Sequence, residues 1–252
     1  MRSFPAAMIA CGAIGGLMIA GTIVLRQPST RSPAYTASEE YGRRLMLETP
    51  KYLGQVTGSR LACASCHIDA GAESGELSLI HALEHQTNIA DRINRCVTGN
   101  MNGHPLLAAS PAMAAMIAWL HFLADRDAAT GASEREAHDP PPYRTPARAP
   151  DPAAGETLFR KRCADCHGSD GAGLPATRNI ADGYLFPPLW GPYSFNGAAD
   201  MANTAVAAKF IKAKMPLGRP DLEDEQALDV AAFIESARRQ EQPPVRIPSR
   251  HP

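Results

Sequence analysis

Two short motifs carry the most specific chemistry in this sequence. Cys63-Ala-Ser-Cys66-His67 and Cys163-Ala-Asp-Cys166-His167 each place a histidine directly after a Cys-x-x-Cys pair. Two thiols at this spacing form thioether bonds to the vinyl groups of one haem, and the histidine that follows becomes a ligand of its iron. A zinc site needs four ligands around each metal, and a thioredoxin-like pair needs neither the histidine nor a second copy. The sequence therefore predicts two covalently bound haems c.

With these motifs and the helical patterns around them, the chain from Ser38 to Arg239 resembles the class I cytochrome c family. In that family a helical fold wraps the haem, and a methionine downstream is usually the sixth ligand of the iron. The resemblance implies that Met215, in Lys214-Met215-Pro216 after a predicted helix, binds the second iron. The adjacent Lys214 is the alternative, because a neutral lysine amine can bind ferric iron.

The first motif lacks such a methionine, since no Met-Pro pair follows His67. Three residues of the next segment are candidates for its sixth ligand, namely Cys96, Met101 and His104. Cys96 is favoured because an unpaired thiol in an exported protein is unusual and requires an explanation. Met101, His104 and an open coordination position remain alternatives.

The surroundings of Cys96 favour a reactive thiolate. Thr87 is predicted to cap a short helix on which Arg92 and Cys96, four residues apart, share one face. A guanidinium and a ferric iron both favour a thiolate over a thiol. A thiolate ligand stabilises ferric iron, so we expect the first haem to have the lower potential and electrons to pass to the second.

Several segments together resemble the dihaem thiosulfate dehydrogenases. The matching residues lie in both halves: Cys63-Ala-Ser-Cys66-His67-Ile-Asp69-Ala-Gly71, Asp91-Arg92-Ile93-Asn94, Cys96, Met101-Asn102-Gly103 and Lys214-Met215. The resemblance implies that two thiosulfates are joined into tetrathionate at a His/Cys-ligated haem. It also implies that the electrons leave through a His/Met-ligated haem to an external acceptor.

Joining two dianions requires cations that offset their repulsion. Arg92 is predicted to supply this charge, and Arg95 is a second candidate. Cys96 is predicted to leave the iron and hold a covalent sulfur adduct until a second thiosulfate displaces it. His81 and His85 are candidates for further substrate contacts.

Two other functions are compatible with the motifs. One is a dihaem electron-transfer cytochrome without a substrate of its own, which predicts His/Met ligation at both irons. The other is the haem subunit of a larger sulfur-oxidising complex, which requires a partner chain.

The elements around the motifs predict an all-α fold of two tandem class I cytochrome c domains. The first, residues 38–138, opens with a helix capped by Ser38 and closes with one beginning at Ser110-Pro111. The second, residues 153–242, follows a proline-rich linker over 139–152 and opens at Asp151-Pro152. Each opening and closing helix carries apolar residues at helical spacing, and no alternating run predicts a sheet: Tyr41, Leu45, Met46, Met113, Met116, Ile117, Leu120, Leu123, Ala154, Leu158, Phe159, Leu228, Ala231, Ala232 and Ile234.

The first 34 residues predict export. An apolar run over residues 4–25 follows Arg2 and ends at Arg26, close to the length that spans a membrane. Ser32-Pro33-Ala34 offers a cleavage site, so both a cleaved signal peptide and a retained membrane anchor are consistent with the sequence. We therefore expect a periplasmic protein, free or held at the inner membrane.

Composition narrows the partners. A formal net charge of −1 over 252 residues gives no general field that would attract nucleic acid. The remaining partners are thiosulfate, as the resemblance implies, and a soluble or membrane-bound redox protein that accepts the electrons.

Overall fold

The computed structural model describes residues 36–72, 88–129 and 142–241. The predicted export segment, His81, His85 and Thr87 lie outside these residues. Below, "first half" means the described residues 36–129 and "second half" means residues 142–241. Within the described ranges, no helix is both long and apolar enough to cross a membrane.

The first half is built on two helices that cross closely. Its helices are α1 (Ala37–Leu47), α2 (Thr49–Leu53), α3 (Ile89–Arg95) and α4 (Pro111–Ala129). Helix α1 packs against α4. Gly42 permits the contact, because a Cβ at this position would lie 2.0 Å from the carbonyl oxygen of Ala115.

The predicted apolar faces of α1 and α4 meet in the core of the first half. Most of the predicted residues are buried there, namely Leu45, Met46, Met113, Met116, Leu120 and Leu123. Trp119 of α4 is fully buried among them. Two predicted residues are not fully buried, since Ile117 is half-buried and 39% of Tyr41 is exposed at the surface of α1.

The helix starts agree only in part with the predictions. Thr36, not Ser38, caps α1: its hydroxyl accepts from the Glu39 N–H at 3.2 Å, while the Glu39 carboxylate accepts from the Thr36 N–H at 2.7 Å. This reciprocal pair satisfies two N–H groups at once. The start of α4 at Pro111 is confirmed, and the Ser110 hydroxyl accepts from the Met113 N–H at 3.2 Å.

Helix α3 also begins at a different residue from the predicted one. Its cap is Asn88, whose side-chain oxygen accepts from the Asp91 N–H at 3.2 Å, and the prediction of Thr87 is wrong. The helix continues into one π-helical turn over Cys96–Asn100, in which the Met101 N–H donates to the Cys96 carbonyl at 3.1 Å.

The second half repeats the helix crossing. Its helices are α5 (Pro152–Arg162), α6 (Ala164–His167), α7 (Thr204–Lys214) and α8 (Asp224–Glu241). Asp151 caps α5 as predicted, accepting from the N–H groups of Ala153 and Ala154 at 2.9 and 3.2 Å. A Cβ at Gly155 would lie 2.0 Å from the carbonyl oxygen of Asp229, so glycine again allows the opening and closing helices to touch.

Aromatic side chains fill the core of the second half. Phe159, Trp190 and Phe233 are in mutual contact, with ring centroids 5.5 Å (Phe159–Trp190), 5.3 Å (Phe159–Phe233) and 5.8 Å (Trp190–Phe233) apart. Leu228, Ala231 and Ala232 of α8 are buried beside them, as predicted. Ala154 is exposed, and Leu158 and Ile234 are half-buried.

The chain is mostly helical, but the prediction without any sheet needs a correction. Strands β1 (Leu174–Pro175) and β2 (Tyr184–Phe186) pair antiparallel in the second half. Because these strands have only two and three residues, they contain no alternation that a pattern search would detect.

Residues 142–150, within the proline-rich segment, form neither helix nor strand and are attached to α8. Arg148 forms an ion pair with Asp229 at 2.7 Å, and the Arg144 N–H donates to Asp224 at 3.2 Å. The Asp151 N–H donates to the same Asp229 carboxylate at 2.7 Å. These contacts hold the segment against the second half.

The loop over residues 193–200 of the second half lies on the first half. The Arg60 N–H donates to the Tyr193 carbonyl at 3.1 Å, and the Asn102 amide donates to the Ser194 carbonyl at 3.1 Å. Leu61 is buried with Phe195 and Ala199 in a small apolar cluster of its own. The two halves are therefore joined by hydrogen bonds and by buried apolar surface.

Candidate functional site

A cavity opens in the first half beside the first Cys-x-x-Cys-His motif. It has about 860 Å³ of open space, including space continuous with solvent. Its chemically distinctive lining residues are Cys63, Cys66, His67, Arg92, Cys96 and Asn100.

The walls of this cavity suit a haem. Apolar side chains from α1, α3 and α4 form much of the lining, among them Met46, Ile93, Met116 and Leu120. A large flat apolar macrocycle needs such walls, together with two thiols for its vinyl groups and an imidazole for its iron. The same space contains both thiols of the motif and His67, so the donor set and the lining fit the expected cofactor.

Thr49 positions the first cysteine of this motif. The Cys63 N–H donates to the buried Thr49 hydroxyl at 3.0 Å, and the hydroxyl lies 2.8 Å from the Leu45 carbonyl and 3.4 Å from Cys63 Sγ. The hydroxyl therefore connects α1 to the motif. Thr49 stands 14 residues before Cys63, and the residues around it form no sequence pattern that indicates this role.

The motif thiols do not have the low pKa of a redox-active pair. Burial raises the pKa of Cys63 to about 11, against the opposing effect of the Thr49 hydrogen bond. Burial also raises the pKa of Cys66 to about 12. Thioredoxin-like cysteines have depressed values instead, so this environment does not fit a thioredoxin-like redox pair.

A left-handed turn follows His67. Residues 69–71 have φ values of +49°, +54° and +80°, and two of the three are not glycine. Such residues cost free energy unless neighbouring groups hold them. Here the Trp119 indole N–H donates to the Ala70 carbonyl at 2.9 Å, and Arg126 donates to the Ala72 carbonyl at 2.7 Å. Both donors belong to α4, which thereby fixes the chain just beyond His67.

Arg92 and Cys96 meet in the cavity, as their spacing predicts. Both residues line it, one near the end of α3 and the other at the start of the π-helical turn. π-Helical turns are rare and occur frequently at functional sites. Asn94 belongs to the segment that carries the family resemblance, but its role was not predicted: it accepts from the Leu106 N–H at 2.8 Å and donates to the Leu106 carbonyl at 3.0 Å, which fixes the segment that follows.

The Cys96 thiol differs from the prediction in one respect. Burial raises its pKa, Arg92 and Arg95 lower it, Asp200 raises it further, and the net result lies above the ordinary value. The prediction that Arg92 favours the thiolate has the correct sign, but burial outweighs it. An additional positive charge nearby, such as that of a metal ion, would favour the thiolate at this position.

The other predicted residues of the first half are unequally placed. Met101 is buried and lines the cavity, so it remains a possible sulfur donor. His104 is exposed and is not among the lining residues. Arg95 is exposed as well and acts on Cys96 only through its charge.

The second motif has an oriented histidine. His167 Nδ1 lies 2.9 Å from the Pro187 carbonyl, which can only accept a hydrogen bond. The proton therefore sits on Nδ1, and Nε2 carries the lone pair that a metal needs. Burial lowers the pKa of His167, and the hydrogen bond to Pro187 partly opposes this shift. Because burial outweighs the hydrogen bond, the net lowering of the pKa leaves the imidazole neutral at pH 7, the form that can bind a metal.

Met215 and Lys214 stand together where α7 ends. Met215 packs against the core of the second half, and both side chains are half-buried. Burial therefore does not separate the predicted ligand from its alternative. Cys163 is half-buried and Cys166 is exposed at the surface of the same half.

One charged contact joins the halves at the cavity. An Asp200 carboxylate oxygen lies 3.3 Å from an Arg92 guanidinium nitrogen, and the Asp200 N–H donates to the Asn100 side chain at 3.2 Å. Both Arg92 and Asn100 line the cavity. Asp200 is 108 residues from Arg92 in the chain, so no local pattern indicates the contact.

The chain is similar to known proteins over most of its length. Residues 152–238 match the cytochrome c family. A thiosulfate dehydrogenase of Allochromatium vinosum is 39% identical over 208 residues, which cover 77% of this chain and 75% of that protein. One of Stutzerimonas stutzeri is 34% identical, covering 83% and 70% of the two chains.

A solved structure has a similar fold. It is the thiosulfate dehydrogenase (TsdBA) of Marichromatium purpuratum in its "as isolated" form, with a TM-score of 0.69 and 29% sequence identity. The match covers 83% of this chain but only 48% of that one, so the present chain spans about half the length of its solved relative.

Proposed function

Because the chain belongs to the thiosulfate dehydrogenase family, we propose that it oxidises two thiosulfates to tetrathionate and passes the electrons to an external acceptor. Membership confirms the family predicted from the motifs, the oxidoreductase class and haem c as cofactor. The observation that carries the proposal is the presence of Cys96 and Arg92 in the same cavity as the first haem motif.

The proposed architecture has two cytochrome c domains, residues 38–138 and 153–242, joined by the proline-rich segment 139–152. Two observations support it. Each half has its own apolar core beside its own Cys-x-x-Cys-His motif. In each half the opening and closing helices also cross at a glycine, at a distance too short to accommodate a Cβ.

The proposed ligands differ between the halves. His67 and Cys96 would hold the first iron, and His167 with Met215 would hold the second, with Lys214 as the alternative to Met215. When bound, the two haems supply one-electron acceptors and together store both electrons of the reaction. Cys63, Cys66, Cys163 and Cys166 provide the thioether bonds.

Cations of the first half would bind the substrate. Arg92 lines the cavity and is only partly exposed, so its guanidinium can pair with a sulfonate group. Arg95 lies farther out and contributes through its field. Together they offset the repulsion between two dianions brought to one site.

Cys96 would carry the covalent step. Its thiolate and one thiosulfate lose two electrons and form an S–S bond, which leaves Cys96–S–S–SO₃⁻. A second thiosulfate then attacks the sulfur attached to the sulfonate. The bond between Cys96 Sγ and that sulfur breaks, S₄O₆²⁻ leaves and the Cys96 thiolate is restored, so atoms and charges balance.

The proposed localisation rests on the match to the cytochrome c family. Cytochrome c domains are typically exported to the periplasm. We extend this to the whole protein and propose that residues 1–34 direct export, either cleaved or retained as an anchor over residues 4–25.

The test is anaerobic addition of thiosulfate to the oxidised protein, with haem reduction followed optically and tetrathionate assayed. We expect reduction and tetrathionate formation by the wild type and loss of both in Cys96→Ala. Met101→Leu, which removes the alternative sulfur ligand predicted from the sequence, is the matched control and should retain activity.

Other outcomes would identify the alternatives. No reduction of the wild type by thiosulfate would support a non-catalytic electron carrier, and activity only with a partner chain would support a subunit of a sulfur-oxidising complex. Full activity of Cys96→Ala would remove Cys96 from the mechanism. A low-spin ferric spectrum typical of thiolate ligation, lost in the same variant, would identify Cys96 as ligand.

A further inference from the structure

The contact between Asp200 and Arg92 places a negative charge on the cation that the substrate needs. The carboxylate oxygen lies 3.3 Å from the guanidinium nitrogen. The backbone of Asp200 is held at the same place by the hydrogen bond from its N–H to Asn100. Asp200 therefore lies at the edge of the cavity, on the side lined by Arg92 and Asn100.

Its charge extends into the cavity. Its carboxylate lies 3.3 Å from the guanidinium of Arg92, which lines the same space as Cys96. A dianion bound near Cys96 would thus meet Arg92 as an attractive charge and Asp200 as a repulsive one.

The ion pair is suited to being broken. The side chains of Arg92 and Asp200 are 38% and 58% exposed, and ion pairs in such positions contribute about 0–1 kcal/mol. The backbone hydrogen bond to Asn100 does not involve the Asp200 carboxylate, so the loop keeps this attachment when the ion pair opens.

We propose that Asp200 is a positioning residue that occupies Arg92 in the absence of substrate and is displaced from it by the anionic substrate. It thereby lowers the affinity of the cavity for sulfur oxyanions and prevents the anionic product from being held at Arg92. The identity of the substrate rests on the proposed function, whereas competition for Arg92 applies to any small divalent oxyanion.

The experiment measures binding of sulfate, which does not react, to the oxidised haem-containing protein by equilibrium dialysis at low ionic strength. Because an exposed ion pair contributes up to about 1 kcal/mol, Asp200→Asn should bind sulfate about three- to fivefold more tightly than the wild type. The KM for thiosulfate should fall by a similar factor. At about 1 M salt, where the Debye length is about 3 Å, the difference should disappear.

Two further variants separate competition from a general change of charge. In an Arg92→Gln background, Asp200→Asn should alter sulfate affinity less than twofold. Asp125→Asn removes the same charge from an exposed site on α4 and should not change sulfate affinity. Asp200→Ser, which also keeps the backbone contact, should reproduce Asp200→Asn if the asparagine variant folds poorly.

The proposal is overturned if Asp200→Asn binds sulfate more weakly or equally well, or if tightening is the same without Arg92. Weaker binding would mean that Asp200 holds Arg92 in its binding position. Since sulfate binding requires no turnover, it tests Asp200 even if thiosulfate proves not to be a substrate, and that second failure would concern only the proposed function.

Discussion

The two halves share a helical frame and differ in what lies between the haem motif and the closing helix. In the first half this segment contains a charged helix and a π-helical turn that directs Cys96 into the cavity. In the second half it contains a short ribbon and a helix that ends at Met215. The crossing helices are thus common to both halves, and it is the segment between them to which our proposed function assigns the difference, with sulfur chemistry in the first half and electron transfer in the second.

The largest effect is expected from substitutions at the two helix crossings, which test whether each half depends on its own crossing. Gly42→Ala and Gly155→Ala each place a Cβ 2.0 Å from a carbonyl oxygen of the facing helix. Overpacking of this kind costs about 3 kcal/mol, which exceeds the gain in helix propensity of about 1 kcal/mol. Native-state hydrogen exchange should show lost protection in α1 and α4 for the first variant, and in α5 and α8 for the second.

Gly197→Ala is the control, because its Cβ would find no heavy atom closer than 3.5 Å. It should change the free energy of unfolding by less than about 0.5 kcal/mol. Equal loss of protection in both halves after either glycine substitution would contradict the idea that each half has its own helix crossing.

A second prediction concerns an ion pair found in the second half. Burial raises the pKa of Asp229, but hydrogen bonds from Arg148 and from the Asp151 N–H outweigh burial and hold the pKa below its usual value. Asp229→Asn should therefore destabilise the second half at pH 7 by about 2–3 kcal/mol. Denaturant unfolding with hydrogen exchange of α8 measures the loss.

The sign of the pH dependence follows from the lowered pKa. The contribution of Asp229 is complete above the pKa of the unfolded chain, about 3.9, and is lost as the pH falls through the lower folded value. The difference between wild type and Asp229→Asn should thus shrink in acid. Glu156→Gln, in an exposed ion pair with Arg160 in the same half, should cost less than about 0.5 kcal/mol at any pH.

A third prediction tests whether substrate binding depends on the charges of the first half, as the proposed function requires. Arg92→Gln should raise the KM for thiosulfate about tenfold, since it removes a charge that lines the cavity, while Arg95→Gln should raise it about twofold. Lys209→Gln, on the exposed face of α7, removes a positive charge from the second half and should leave KM unchanged. Steady-state kinetics at low and high salt measure these changes in KM. Equal effects of the two arginine substitutions would contradict the prediction.

The smallest expected effect concerns the Thr49 hydroxyl. Thr49→Val keeps the shape of the side chain but removes its hydrogen bonds to the Leu45 carbonyl and the Cys63 N–H, at a cost of about 1 kcal/mol. Thr57→Val is the control, because that hydroxyl makes only a long contact of 3.4 Å to the Leu53 carbonyl. Guanidinium unfolding of the two variants should separate them, and identical midpoints would mean that Thr49 does not support the motif.

Residues adjacent in sequence were the most predictable part of the site. The spacing of Arg92 and Cys96 along one helix placed both in the cavity, and Asp151-Pro152 marked the start of α5. The first helix start was also readable, because Thr36-Ala-Ser-Glu39 is a capping-box pattern whereas Ser38 is followed three residues later by Tyr41.

Contacts between distant segments were not predictable from the sequence. Asp200 reaches Arg92 only because the loop over residues 193–200 folds onto the first half. The pKa of Cys96 could not be deduced either, since its sign depends on burial as well as on the arginine one turn away. Charge is visible in a sequence, but the desolvation that opposes it is a property of the packed chain.

The π-helical turn at Cys96–Asn100 makes the reactive site sensitive to chain length as well as to residue type. A π turn contains one residue more than an α turn, so a single-residue deletion within it would restore regular α-helical register. Each residue of an α-helix turns the chain by about 100°, and every side chain beyond the deletion would point in a new direction relative to Cys96. A deletion among residues 97–99 would therefore change the geometry of the cavity although Cys96 and Asn100 are both retained.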